Sequence, residues 1–226
     1  MARPKRSDID ILRTKVWYEW IRTKLNLKTA YEMDLYFGSE TDRNWYKYES
    51  GVRVPTHATL YFVESKCVGS RVIFDDGPNG SNLWRAISAP HSDLWSIVDI
   101  YFPAHVVDRE AGILGLLQYA NFLQNSLILE KYASNIDYLS HAKGLQRSFI
   151  EIALERNEIS INYELASTVI AIWRLSALVI YNMLNADYLL GGLISAFNKA
   201  KINQDNFEQL IGEFLRSNLI SRPLGK

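Results

Sequence analysis

The stretch RNWYKYESGVRVP, residues 43–55, sets three aromatic rings among basic and amide side chains, ahead of a glycine and a proline. Basic side chains bind phosphate oxygens, Arg can bridge O6 and N7 of guanine, and Asn can bridge N6 and N7 of adenine. The aromatic residues would equally suit the core of a small helical unit. The residue types thus fit a DNA-contacting surface or an aromatic packing corner.

No catalytic or metal-binding pattern accompanies this stretch. The acidic turn DDGPNG at residues 75–80 lacks the alternating oxygen ligands of an EF-hand. Glu151 and Glu155 are like charges one helical turn apart, which usually face solvent. Four histidines are scattered, without a pair at i, i+4: His57, His91, His105 and His141. The sequence therefore predicts a protein that is not an enzyme and that holds no cofactor or metal.

The charge is balanced over the whole chain but not along it. Residues 1–72 contain 13 Lys and Arg against 9 Asp and Glu, a net of +4, and residues 73–226 contain 12 against 16, a net of −4. A basic first part on an acidic second part suits the binding of a polyanion by the first part.

Two features predict a cytoplasmic protein outside the membrane. The basic start MARPKRSD is not followed by the apolar region of a secretory signal, and the single cysteine, Cys67, suits a reducing compartment as a buried thiol. The most apolar stretch, residues 168–184, is short for a membrane span and carries Arg174 near its middle. It is predicted to be a buried core helix.

The first 70 residues predict four helices. Apolar spacing indicates the first over residues 9–25. A capping box at Thr29 and Glu32 begins a second, short helix that ends at Gly38. The third covers residues 40–50, capped by Ser39 and ended by a glycine, and the fourth runs from Pro55 to Gly69, with Leu60, Val63 and Cys67 inward.

The rest of the chain predicts a linker and a helical body. Turn-forming residues concentrate at 70–92, so we predict a linker at 73–92. Residues 72–74, at its start, are expected to form a short strand or to pack on the first part. Helices are predicted over 92–101, 108–132, 135–157, 161–198 with a break near Gly191 and Gly192, and 204–218. The fold class is all-α: a four-helix first domain at 1–72 and a helical bundle at 93–226.

Residues 27–69 resemble the head of the Cro/repressor-type (XRE) helix-turn-helix family. In that family the recognition helix ends with an aromatic residue, Glu, any residue and Gly, followed by X-Arg-X-Pro. Here the pattern runs as YESGVRVP from Tyr48 to Pro55. The chain, and GSRVIFDDGPNGSNLWRAI in particular, is also similar to uncharacterised bacterial proteins found among mobile elements, which implies a context and not an activity.

The resemblance implies that the third helix has a buried face and a face directed toward DNA. Trp45 and Tyr48 would be its buried face, and Arg53 would lie near the DNA backbone. The side chains directed toward DNA would be Thr41, Arg43, Asn44 and Lys47. The basic tail ARPKR could serve as an arm in the minor groove.

Several positions depart from the family pattern. Asp34 stands where a small residue is common, Ala30 stands where a phosphate-contacting Gln is common, and Glu40 and Asp42 add negative charge beside the contact surface. One extra residue separates Gly38 from Tyr48. These departures favour an alternative, a protein-interaction module that keeps a degenerate helix-turn-helix for packing, in a mobile-element or phage-defence context.

The leading prediction is a transcriptional regulator that binds double-stranded DNA through residues 1–72. Repressor-type heads usually pair to gain affinity, so the apolar helices of the body are expected to form a homodimer. The same C-terminal helices could bind a protein partner.

Overall fold

The computed structural model describes residues 7–38, 44–101, 163–176, 190–191, 193–194 and 206–220. None of these residues lies in a β-strand, and the all-α class is confirmed. The α-helices with bounds are α1 (Asp8–Lys24), α2 (Ala30–Phe37), α3 (Asn44–Glu49), α4 (His57–Lys66), α5 (Ser70–Asp75), α6 (Leu83–Ser88), α7 (His91–Tyr101), α8 (Tyr163–Ser176) and α9 (Asn206–Leu215). A 3₁₀ turn covers Pro78–Gly80, and a π-helical turn covers Arg216–Ile220.

The predicted ends of α2 are confirmed. The Thr29 hydroxyl accepts a hydrogen bond from the backbone N–H of Glu32 at 3.2 Å, and the Glu32 carboxylate accepts one from the N–H of Lys28 at 2.7 Å. Gly38 ends the helix in the left-handed region at φ 79°. A short helix of this kind depends on its caps, because few of its backbone groups have partners inside it.

The third and fourth helices follow as expected where they are described. The cap predicted at Ser39 and the start of the third helix lie outside the described residues, and α3 is described from Asn44. The fourth helix begins at His57, after a cap in which the Thr56 hydroxyl accepts from the N–H of Thr59 at 3.2 Å. The predicted inward residues of this helix are all buried: Leu60, Val63 and Cys67.

The segment predicted to be a linker contains helices. Helix α5 crosses the predicted boundary, α6 covers residues 83–88, and α7 begins at His91. Leu83, Trp84 and Ile87 are buried, because residues 83–88 carry an apolar face that the turn formers around them conceal in the sequence. Residues 72–74 form part of helix α5 and not a strand. The division of the chain into two domains remains a prediction.

Helix α1 contributes residues to two hydrophobic clusters. Its Trp17, Tyr18 and Ile21 belong to a head cluster with residues of α2 to α5, and its Leu12 and Val16 belong to a second cluster with residues of α5 to α9. The helix can do this because apolar residues occupy more than one of its faces. The head is therefore held on one side of α1 and the later helices on another.

The apolar run at 168–184 is a core helix in its described part. Val169, Ile170 and Ile172 of α8 are buried, and no helix in the described part of the chain is long and apolar enough to cross a membrane. The guanidinium of Arg174 donates to the carbonyl oxygens of Ala86 at 3.0 Å and Ala89 at 2.7 Å. Burial lowers the pKa of Arg174.

The remaining helices of the body are described only in part. The helices predicted at 108–132 and 135–157 lie outside the described residues, as does Gly192, whereas Gly191 is helical. Helix α9 lies within the predicted range 204–218, and its Ile211 and Leu215 are buried in the second cluster.

Glu64 joins α4 to α5 in a way that the sequence did not indicate. Helix α5 follows Gly69, which has no side chain to cap it. The Glu64 carboxylate accepts hydrogen bonds from the N–H groups of Gly69 at 2.8 Å and Arg71 at 2.7 Å, and from the Ser70 hydroxyl at 3.1 Å. Burial alone would raise the pKa of Glu64, but these donors outweigh it and lower the pKa.

We expect Glu64→Gln to lower the free energy of unfolding by about 0.5–2 kcal/mol at neutral pH, as for loss of a helix cap. Because the folded-state pKa is lowered, this stabilisation is complete above the pKa of the unfolded state and is lost as pH falls through the folded-state pKa. Urea unfolding of both proteins between pH 7 and pH 3 should therefore show their difference shrinking on acidification.

The matched control is Glu213→Gln. In the wild-type protein the Glu213 carboxylate accepts a hydrogen bond from the side chain of Gln209 at 2.8 Å and not from a helix N-terminus. A Glu64→Gln penalty that stays constant over this pH range would contradict the capping role.

Candidate nucleic-acid interface

The buried face of α3 is the centre of an aromatic stack, as expected from the sequence. Trp45 and Tyr48 are each 3% exposed. The Trp45 ring is stacked on Trp17 of α1 at 5.4 Å and on Phe37 of α2 at 4.7 Å, between ring centroids. Tyr48 meets Trp45 edge-on at 5.6 Å. These contacts fix the rotation of α3 about its axis, and so determine which of its side chains face outward.

The turn after α3 lies directly against α1. Gly51 adopts φ +71°, and a Cβ added there would lie 2.6 Å from Cγ2 of Ile11 and 3.1 Å from Cε of Lys15. Beyond the glycine, the backbone N–H of Arg53 donates to the carbonyl of Lys47 at 3.0 Å. The turn therefore brings the chain back along α3 and places Arg53 beside it.

Arg53 reaches back to the start of α3. Its Nη1 donates to Oδ1 of Asn44 at 2.5 Å, and both residues are half-buried. Lys47 follows Asn44 by one helical turn and is exposed. Three of the five residues predicted to contact DNA thus lie next to one another. The other two, Thr41 and Arg43, lie outside the described residues.

The acidic residues near this surface differ in their roles. The hydroxyl of Tyr18 donates to Oε1 of Glu49 at 3.3 Å, and burial together with the charge of Glu49 raises the pKa of Tyr18. This bond ties the end of α3 to α1. Asp34, which departs from the family pattern, is buried in α2, and Glu40 and Asp42 lie outside the described residues.

A cavity of about 310 Å³ opens between α3 and α4, beside Arg53. Phe37, Trp45, Tyr48 and Phe62 contribute aromatic walls, and Asn44, Arg53 and Thr59 contribute polar groups. No pattern in the sequence predicted this cavity. The one signal in the sequence was Phe62, a large apolar residue next to the inward Val63. In the structure the Phe62 side chain is 46% exposed.

Among the described residues, no group of three or more His, Cys, Asp or Glu side chains is placed to hold a metal ion. Burial raises the pKa of the Cys67 thiol, as suits the structural thiol expected from the sequence. No protein-family model, curated protein or solved structure matches the chain. The resemblance to repressor-type heads therefore stays a prediction.

Proposed function

We propose that this protein binds double-stranded DNA through the surface formed by Asn44, Lys47 and Arg53, together with Thr41 and Arg43. It would act in the cytoplasm as a transcriptional regulator, paired as a homodimer through the later helices. The observation that carries the proposal is the contact between Arg53 and Asn44, which places a guanidinium and an amide beside the exposed Lys47.

The geometry of the pair suits base recognition. Arg53 only donates, so the Asn44 atom that faces it is the carbonyl oxygen, which has a second lone pair. Asn44 can then still accept from N6 of adenine while its amide group donates to N7. Arg53 has further N–H groups for a phosphate. The aromatic stack beneath α3 would hold these groups in place when DNA approaches.

Charge supports the same proposal. The first 72 residues have a net charge of +4, from 13 basic and 9 acidic residues. One of those acidic residues, Glu49, contacts Tyr18, and another, Glu64, caps α5.

We expect Lys47→Ala to weaken DNA binding similarly on all sequences and to reduce the slope of log Kobs against log salt by about 0.9, the loss of one phosphate contact. Arg43→Ala should instead reduce the preference between sequences. Fluorescence anisotropy with labelled duplexes at several salt concentrations measures both effects.

The control is Arg85→Ala, which removes an exposed cation on α6, outside the proposed surface. Equal losses of DNA affinity in the Lys47 and Arg85 variants would show that only overall charge matters, and would reject the proposed surface.

A second function is favoured by exposed apolar side chains on the head. Tyr31 and Leu35, one turn apart on α2, are 60% and 48% exposed, and Tyr61 on α4 is 57% exposed. Large apolar side chains that are exposed to water indicate a protein-binding surface when they form a contiguous patch. Under this alternative, Tyr31→Ser with Leu35→Ser would abolish capture of a partner protein and leave DNA binding unchanged.

A further inference from the structure

The cavity between α3 and α4 has the size and lining of a small-molecule site. Its volume of about 310 Å³ lies at the lower end of the range for ligand pockets, about 300–1,000 Å³. Six of its nine lining residues are apolar, four of them aromatic, and three are polar, which is the usual composition of such pockets. A ligand of this site would be small and would have one polar end.

Phe62 is the wall of the cavity that can take a flat apolar body. It meets Phe37 edge to face at 6.2 Å, and Trp45, which is 3% exposed, is held between Trp17 and Phe37. Because this stack is already packed, the wall is rigid before any ligand enters, and binding would cost little side-chain entropy. The large exposed fraction of Phe62, 46%, leaves apolar surface that a ligand could cover.

The polar lining of the cavity comprises Asn44, Arg53 and Thr59, and of these side chains Arg53 only donates hydrogen bonds. Arg53 gives one N–H to Asn44, and none of the ion pairs among the described residues includes Arg53. The amide of Asn44 turns its oxygen to Arg53, so its NH₂ group faces elsewhere. The remaining N–H groups of the Arg53 guanidinium complement a carboxylate, which only accepts.

We propose that this cavity binds a small organic acid with a flat, apolar body. The body lies against the exposed Phe62, and the carboxylate accepts hydrogen bonds from Arg53. A neutral molecule of the same shape would bind more weakly, since it cannot form the charge-assisted bonds.

The site has a regulatory consequence that rests on the proposed function. The acid would occupy the N–H groups of Arg53 that are proposed to contact DNA. The acid and DNA would then compete for the same groups, and binding of the acid would release DNA.

Isothermal titration calorimetry with 2-naphthoate and with neutral 2-naphthamide tests the site directly. We expect the wild-type protein to bind the acid at least about tenfold more tightly than the amide, the effect of one charge-assisted hydrogen bond. Arg53→Gln should remove most of this difference. Ala58→Met, which adds volume to the cavity from α4, should weaken both ligands.

The variants distinguish a specific site from general binding. Arg85→Gln is the charge control and should bind both ligands as the wild type does, and thermal unfolding of each variant checks that the head remains folded. Equal affinity of the wild type for the acid and the amide, an unchanged preference in Arg53→Gln, or no heat of binding with either ligand would overturn the proposal.

The regulatory consequence has its own measurement. Adding 2-naphthoate should weaken DNA binding relative to the same concentration of acetate, which controls for ionic strength. An acid that binds with the expected preference but leaves DNA affinity unchanged would overturn the competition. A protein that binds the acid and no DNA at all would reject the proposed function and leave the ligand site standing.

Discussion

Gly51→Ala should lower the free energy of unfolding by about 2–5 kcal/mol. An alanine in the left-handed region costs about 1–2 kcal/mol, and moving packed atoms away from an added methyl group costs about 1–3 kcal/mol. The methyl group would lie 2.6 Å from Cγ2 of Ile11, well inside contact distance. Urea denaturation followed by tryptophan fluorescence measures the loss.

Gly38→Ala is the matched control for this prediction. Gly38 has φ +79°, close to the +71° of Gly51, but a Cβ at Gly38 would have no atom of the described residues within 4 Å. The two variants share the backbone strain and the reduced entropy of the unfolded chain, so their difference isolates the contact with α1. Equal destabilisation by the two substitutions would contradict the close approach of the turn to α1.

Arg174→Met should lower the free energy of unfolding by at least about 2 kcal/mol. Arg174 donates to the carbonyls of Ala86 and Ala89 at the end of α6. In a continuing helix the Ala86 carbonyl would accept from residue 90, but that residue is Pro90, which has no N–H. Methionine keeps much of the side-chain length but leaves both carbonyls without this donor. Each unsatisfied carbonyl costs about 1–3 kcal/mol of folding free energy.

Arg85→Met is the control for Arg174. Arg85 is exposed, and its guanidinium donates to Asn82 Oδ1 at 3.3 Å and Ser96 Oγ at 3.4 Å. We expect its loss to change the free energy of unfolding by no more than about 0.5 kcal/mol, as for most surface positions. If the two substitutions had the same effect, Arg174 would not be the group that completes the end of α6.

Local patterns in the sequence predicted most of the head. Apolar spacing and caps gave helices α1, α2 and α4 to within two residues at each start, and the spacing of Trp45 and Tyr48 indicated their burial. These features depend on residues within one or two helical turns of each other. They are therefore visible without knowledge of the tertiary structure.

Features that join distant parts of the chain were not predictable in the same way. Residues 73–92 contain many turn formers, but their apolar side chains pack on α1 and α8, which no local pattern reveals. Arg53 and Asn44 were both candidates, but their hydrogen bond depends on the turn at Gly51. The cavity beside them needs α2, α3 and α4 together.

The most direct test of the proposed function is selection from random duplex oligonucleotides with purified protein at two salt concentrations. We predict recovery of a preferred sequence, with affinity that falls steeply as salt rises. The Arg43→Ala variant should recover a less defined sequence. If the wild-type protein retains no duplex at the lower salt concentration, the proposal that the surface of Asn44, Lys47 and Arg53 binds DNA is wrong.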